Sequence, residues 1–325
     1  MISRRVVIGC LGLFFIGFMI LSGNQATPDC HSLQPVSSSV PSKLDGEQAC
    51  NQCRIQQGFQ SPLVDTSLAL RLKKQWSLLP SGILPLLVAP GNAAMMASSW
   101  SKIIEPGCSA WVNSKCKLSR IPNSPYSMED HMTLYSMIRF FKPKVVLEVG
   151  SGASSFTVGC ALDELFSMAS TARSQHICIE PFRSRFINVS TKPRIVEKLV
   201  QEVDLAELDA LSSGDLLFLD NSHVSQPYGD VLFEFLFMLP RLKAGVVIHI
   251  HDIFLPLDYH DSWRIDWRLP YTEQYLLALF LHRNDDFEII WSASHWAIGY
   301  EKQFAKWNLS AGARVAGGFW LRKSK

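Results

Sequence analysis

The sequence predicts an α/β domain, a doubly wound and mostly parallel sheet over residues 127–325, behind an N-terminal membrane anchor and stem. Three observations predict it. Val145, Val146, Leu147 and Val149 form a nearly continuous apolar run that ends in Gly150-Ser151-Gly152, as a strand covered on both faces and feeding a tight turn does. Strand-like and helix-like patterns alternate from there onward. Four successive strands end in a carboxylate: Glu148, Glu180, Glu202 or Asp204, and Asp220. The carboxyl ends of neighbouring strands share one rim, where open α/β sheets bind their ligands.

Composition sets the outer bounds. The chain has 325 residues, 47% hydrophobic and 18% charged, enough for one large domain with extensions. A net charge of +2 points to no polyanionic partner, so nucleic acid is not expected. Arg4 and Arg5 precede an uncharged apolar stretch, Val6 to Ser22, short for a membrane span and long for a signal-peptide core. Leu21, two residues before Gly23, suits a signal peptidase poorly. Residues 1–23 therefore read as an uncleaved signal anchor of a single-pass protein, with the N-terminus cytosolic and the rest in a secretory lumen, Golgi or ER. The glycosylation triplets Asn188-Val189-Ser190 and Asn308-Leu309-Ser310 fit that side.

Residues 24–126 read as a stem and a cysteine-containing extension. Asn24 to Glu47 is rich in Ser, Pro and Gln. Cys30, Cys50, Cys53, Cys108 and Cys116 follow, and behind a targeting segment they are expected as disulfide partners rather than metal ligands. Asp65 to Leu79 has helical spacing, and Ile83 to Ala89 reads as core packing. Cys108 to Pro125 reads as irregular, pinned by Cys108 and Cys116. Ser127, with Asp130 three residues on, is a capping-box variant opening a helix to Phe141, stopped by Pro143.

In the first strand turn, Ser155 stands where a dinucleotide site has its third glycine, and Glu148 suits a cationic ammonium better than a phosphate. The second strand, His176 to Glu180, ends in a carboxylate able to accept from both hydroxyls of a ribose. The third, Arg194 to Val200, leads to Gln201-Glu202-Val203-Asp204, polar groups placed to read an adenine amino group. The fourth runs from Asp215 to Asp220. After a helix from Gly229 to Leu242, the fifth runs from Val246 to Asp252.

Over residues 127–325 the chain resembles the class I S-adenosylmethionine-dependent methyltransferases, whose fold is Rossmann-like, and within them a small-molecule O-methyltransferase-like subgroup. The stretches that carry the resemblance are Leu219-Asp220-Asn221-Ser222-His223, Leu239 to Gly245, His249 to Pro256, Tyr271 to Leu277 and Gly318 to Arg322. The resemblance implies that Gly150, Ser151 and Gly152 pass close to the cofactor S-adenosyl-L-methionine, that Glu148 holds its methionine end and Glu180 its ribose, and that Asp220 lies near the methionine moiety. Glu202 falls at the adenine end.

A hydroxyl acceptor must also lose a proton, to a base or with the help of a metal. His251 and His223 are the candidate bases; Asp220 and Asp252 are the candidate ligands for a divalent cation such as magnesium, although Asn221-Ser222 departs from metal-dependent relatives. His249 and His251 share a strand face, and one of them is expected to be a core histidine bonded to backbone. Trp263, Trp267 and Tyr271 suit stacking on a sugar or aromatic acceptor and suit core packing equally. Three other classes compete. An anchored glycosyltransferase has this layout, but no Asp-x-Asp follows a strand. A metallohydrolase would use His249-Ile250-His251-Asp252, but Phe254 stands where its second half begins. A non-catalytic protein keeping a vestigial fold is the third.

Overall fold

The computed structural model describes residues 68, 70–71, 90–116, 126–169, 173–182, 193–299 and 316–325. Seven strands form one sheet in the order β3-β2-β1-β4-β5-β7-β6. They are β1 Val145–Val149, β2 Gln175–Ile179, β3 Arg194–Val196, β4 Leu216–Leu219, β5 Val247–Ile250, β6 Phe287–Ser292 and β7 Phe319–Lys323. The first five pair in parallel, and β7 enters antiparallel between β5 and β6. The order reverses beside β1, which puts the switch point at the glycine turn.

Alternation along the strands builds two cores. Val146, Leu216, Phe218, Val247 and Trp320 face helices α1 Pro90–Ser99, α2 Glu105–Asn113, α3 Met128–Phe141 and α4 Ala153–Ala169. Leu147, Val149, Leu217, Leu219, Ile248 and Ile250 face the other layer, which includes α5 Ala206–Asp209, α6 Asp230–Phe233 with the π turn Glu234–Met238, and α7 Glu273–Leu281. The short α8, Ala293–Gly299, follows β6. Helix α3 starts as expected: Ser127 Oγ accepts from Asp130 N at 3.0 Å, and Lys142 closes it in the left-handed conformation.

The structure departs from the sequence reading in four places. Cys108 to Asn113 is helical rather than irregular, continuing a helix from Glu105 with Pro106 in its first turn, and residues 117–125 lie outside the described ones. Cys116 is bonded to Cys160 of α4, not to Cys108, which stays a buried thiol. The boundary at residue 127 moves N-terminally, because Met96, Trp100, Ile103, Ile104 and Trp111 share the core of the sheet. Strand β3 is three residues long, β2 and β4 stop just short of Glu180 and Asp220, and Glu148 lies within β1.

Among the described residues no helix is long and apolar enough to cross a membrane. The anchor, the stem, Cys30, Cys50, Cys53, Ile83 to Ala89 and both glycosylation triplets lie outside the described residues. Leu68, Leu70 and Arg71 are helical, and the rest of the Asp65 to Leu79 stretch lies outside as well.

Candidate active site

Backbone bonds that continue past the strands bring their ends level. Gly150 N donates to Ile179 O, Glu180 N to Val196 O, Asp220 N to Val149 O and His251 N to Leu219 O, all at 2.9–3.0 Å. Gly150 sits at φ +94°, and a Cβ there would lie 2.3 Å from the Asp220 carbonyl oxygen. Only glycine lets β1 turn this close to the end of β4. A Cβ on Gly152 meets nothing within 4 Å, so that residue faces open space at the start of α4.

The acidic strand ends divide into three kinds. Glu148 is fully buried and does not face the rim; it accepts from Ser154 Oγ at 2.7 Å, lies 2.8 Å from His176 Nε2 and accepts from Cys178 Sγ at 3.3 Å. It thus ties α4 to β1 and β2. Glu180 borders the turn, accepting from Ser151 Oγ at 3.3 Å and from Phe182 N at 2.8 Å. Glu202 and Asp204 are exposed and engaged locally, accepting from Leu199 N and Ala206 N respectively.

Asp220, His223, His251 and Asp252 come together. His223 Nε2 lies 3.3 Å from Asp252 Oδ2 and 3.6 Å from Asp220 Oδ1. His251 Nδ1 lies 3.5 Å from Asp220 Oδ1 and 3.6 Å from Asp252 Oδ1, with its Nε2 3.4 Å from Asp130 Oδ2. His223 and Asp252 both hold left-handed backbone, φ 60° and 54°, strain that the surrounding contacts must hold in place.

Burial alone would push both imidazoles down. The facing carboxylates outweigh it: Asp252, Asp220 and Asp130 raise His251 well above the ordinary histidine range, and Asp220, Glu273 and Asp252 do the same for His223. The two cations act back on the acids. Burial would raise Asp220, yet His251 and His223 hold it below the usual carboxylate range. Asp252 moves the other way, raised by burial and by Asp220 and Asp130 more than the histidines lower it.

His249 is the core histidine of the pair: it stacks on Trp320 with ring centres 4.2 Å apart, its Nδ1 lies 3.3 Å from Phe319 O, and burial pushes it down to about 3. Three further side chains complete the site, and the sequence reading had not placed them there. Tyr126 stacks on His251 at 4.5 Å. Asp130, read only as a capping acid, is clamped by Gly317 N at 3.1 Å and Gly318 N at 2.8 Å. Glu273 lies beneath His223, and its one signal was its place in the Tyr271 to Leu277 stretch. Tyr271 touches the rim, 4.7 Å from the His223 ring, with Trp263 edge-on to it at 5.7 Å.

Residues 147–253, which run from within β1 to just past β5 and include Asp220, His223, His251 and Asp252, match the family model described as a methyltransferase domain. This segment is similar to methyltransferase domains. Solved structures similar to the chain include the SAH-bound methyltransferase PaMTH1 of Podospora anserina, at 12% identity and TM-score 0.41, covering 89% of this chain and 100% of that one. The O-methyltransferase of Bacillus cereus in complex with SAH is 11% identical, with TM-score 0.38, covering 80% of this chain and 97% of that one. TomG of Streptomyces achromogenes, an O-methyltransferase involved in tomaymycin synthesis and solved with SAM, is 15% identical, with TM-score 0.39, covering 73% and 98%. No curated protein matches the chain.

Two groups of three donor residues among the described residues lie close together, Glu148-His176-Cys178 and Cys116-Cys160-Glu164, but the two sulfurs of the second are taken up in the disulfide. Neither lies on the rim. There, Asp220 and Asp252 each face the two histidines.

Proposed function

We propose that the chain transfers the methyl group of S-adenosyl-L-methionine to a hydroxyl oxygen of a small molecule or glycan. The observation that carries this reading is the glycine turn, whose Gly150 packs against Asp220 of the Asp220, His223, His251 and Asp252 cluster, within the segment that matches a methyltransferase domain. The cofactor, when bound, supplies a methyl group already activated on a sulfonium. Gly150, Ser151 and Gly152 leave room for it, Glu180 beside Ser151 accepts from its ribose, and the carboxylates of the rim favour its positive charge over an anionic ligand.

The remaining chemistry is to align the acceptor oxygen and take its proton. His251 is held protonated and has no free lone pair for this, so the base is Asp252, a carboxylate raised by burial and bracketed by two cations. His223 beside Tyr271, and Asp252 at the end of β5, support an acceptor site over β4 and β5.

Isothermal titration of the folded protein with S-adenosylmethionine and with its demethylated product is the direct test. Heat from either ligand is expected; none from both would overturn the reading. The Cys116–Cys160 bond supports the lumenal side for this domain, with Arg4 and Arg5 cytosolic. Protease digestion of a C-terminal tag on intact microsomes would contradict that orientation.

A further inference from the structure

His223 sits in a backbone conformation that histidine adopts at a cost, yet its ring points at the two rim aspartates. What holds it there is a closed set of bonds to the start of α7. Its carbonyl oxygen accepts from Thr272 N at 2.9 Å and Glu273 N at 3.2 Å. Its own N–H donates to Asn221 Oδ1 at 2.7 Å, and its Nδ1 donates to Glu273 Oε2 at 2.8 Å. Asn221 Nδ2 closes the circuit by donating to Glu273 Oε1 at 3.0 Å. Both oxygens of Glu273 are therefore in use, one on the ring and one on the residue that fixes the backbone of that ring. Glu273 is completely buried. A buried carboxylate carries a large desolvation cost, which is met only when its partners are held in place.

Resting on the methyl-transfer reading above, we infer that Glu273 is the positioning residue of this site: it fixes the His223 ring and backbone so that Nε2 is presented between Asp220 and Asp252. Glu273 has no path to substrate and acts only through His223. Glu234 provides the contrast. It is equally buried, stands on the π turn after α6, and accepts from the same Asn221 through Oε2, but it does not reach His223. Its Oε1 has no hydrogen-bond partner, and burial together with the Glu273 charge raises its carboxyl well above the usual range, so an amide replaces it with little change.

Two isosteric variants of the full chain separate positioning from mere core packing. In Glu273→Gln one of the two acceptor oxygens becomes an amide, so either the His223 bond or the Asn221 bond is lost. Turnover on an acceptor found by screening is expected to fall about a hundredfold, the scale of a misplaced catalytic group, while the KM for S-adenosylmethionine stays within about twofold. Glu234→Gln is expected to keep turnover within about threefold.

A second readout needs no acceptor. The hydrogen-bonded Nδ1 proton of His223, assigned by its loss in His223→Phe, should be visible at low field by proton NMR in the wild type and in Glu234→Gln, and in Glu273→Gln should be lost or moved upfield, because the amide is a neutral and weaker acceptor. Loss or upfield movement of the signal with no methyl transfer by any form would uphold the positioning and sink only the methyltransferase reading. A signal unshifted in Glu273→Gln, its absence from the wild type, or equal turnover of the two Gln variants would overturn the inference.

Discussion

Two glycines one residue apart do different work at the tip of β1. At Gly150 the limits are φ +94° and the Asp220 carbonyl oxygen, so Gly150→Ala should cost about 2–4 kcal/mol of stability, seen as a lower denaturant midpoint. At Gly152 the space is open, and Gly152→Ala should leave that midpoint within about 0.5 kcal/mol while weakening S-adenosylmethionine binding at least about tenfold. Equal binding by Gly152→Ala and wild type would move the cofactor away from this turn. The base makes a second residue-level prediction: Asp252→Asn should lower turnover by about a hundredfold or more, and His251→Ala by less, with EDTA leaving the wild-type rate unchanged. Loss of activity to EDTA with recovery in magnesium would return the role of Asp252 to metal binding. The aspartates and histidines of the rim were legible in the sequence, because strand ends mark it. Which of them carries a proton was not, because that depends on how many carboxylates surround each imidazole, Asp130 among them from 121 positions away.

At the level of elements, the parallel strands could be read because each is a short apolar run closed by a turn residue. The segment before the domain could not. Pro106 and Gly107 resemble a break, but the proline occupies the first helical turn, and a Cβ at Gly107 would lie 2.1 Å from Ser136 Oγ, so glycine there marks the close approach of α2 to α3. Cysteine pairing is likewise not written in local sequence: Cys116 found Cys160, 44 residues on, because α2 ends against α4. That bond joins the N-terminal helices to the helix that opens at the glycine turn. Cys160→Ser is expected to destabilise the fold by about 2–5 kcal/mol, and Cys108→Ser by less, since Cys108 is in no disulfide. Equal melting temperatures for wild type and Cys160→Ser would show that the bond does not form in the protein.

For the whole molecule, the buried histidines set opposing pH dependences. His131 and His249 are neutral inside, each pushed down to about 3 by burial first of all. Below the unfolded value of about 6.5, the unfolded chain takes up protons that these two refuse, so stability falls as pH drops from there toward 3. His223 and His251 are shifted up, so above about 6.5 the folded chain keeps protons that the unfolded chain has released, and stability falls as pH rises through their folded values. A melting profile with its maximum near pH 6.5 is expected from thermal scans between about pH 4 and pH 9. A melting temperature still climbing at pH 8 would show that the two rim histidines are not held protonated.

The position of β7 has a consequence for how the chain is made. This strand lies between β5 and β6, and the two glycines before it clamp Asp130, yet it is translated about seventy residues after β5. While the ribosome is still short of residue 316, β5 has a bare edge with Ile248 and Ile250 beside it, and Asp130 has no amide partners from Gly317 and Gly318. A nascent chain therefore cannot close its sheet in the order in which it emerges, and products truncated ahead of residue 316 are the ones a chaperone should hold longest.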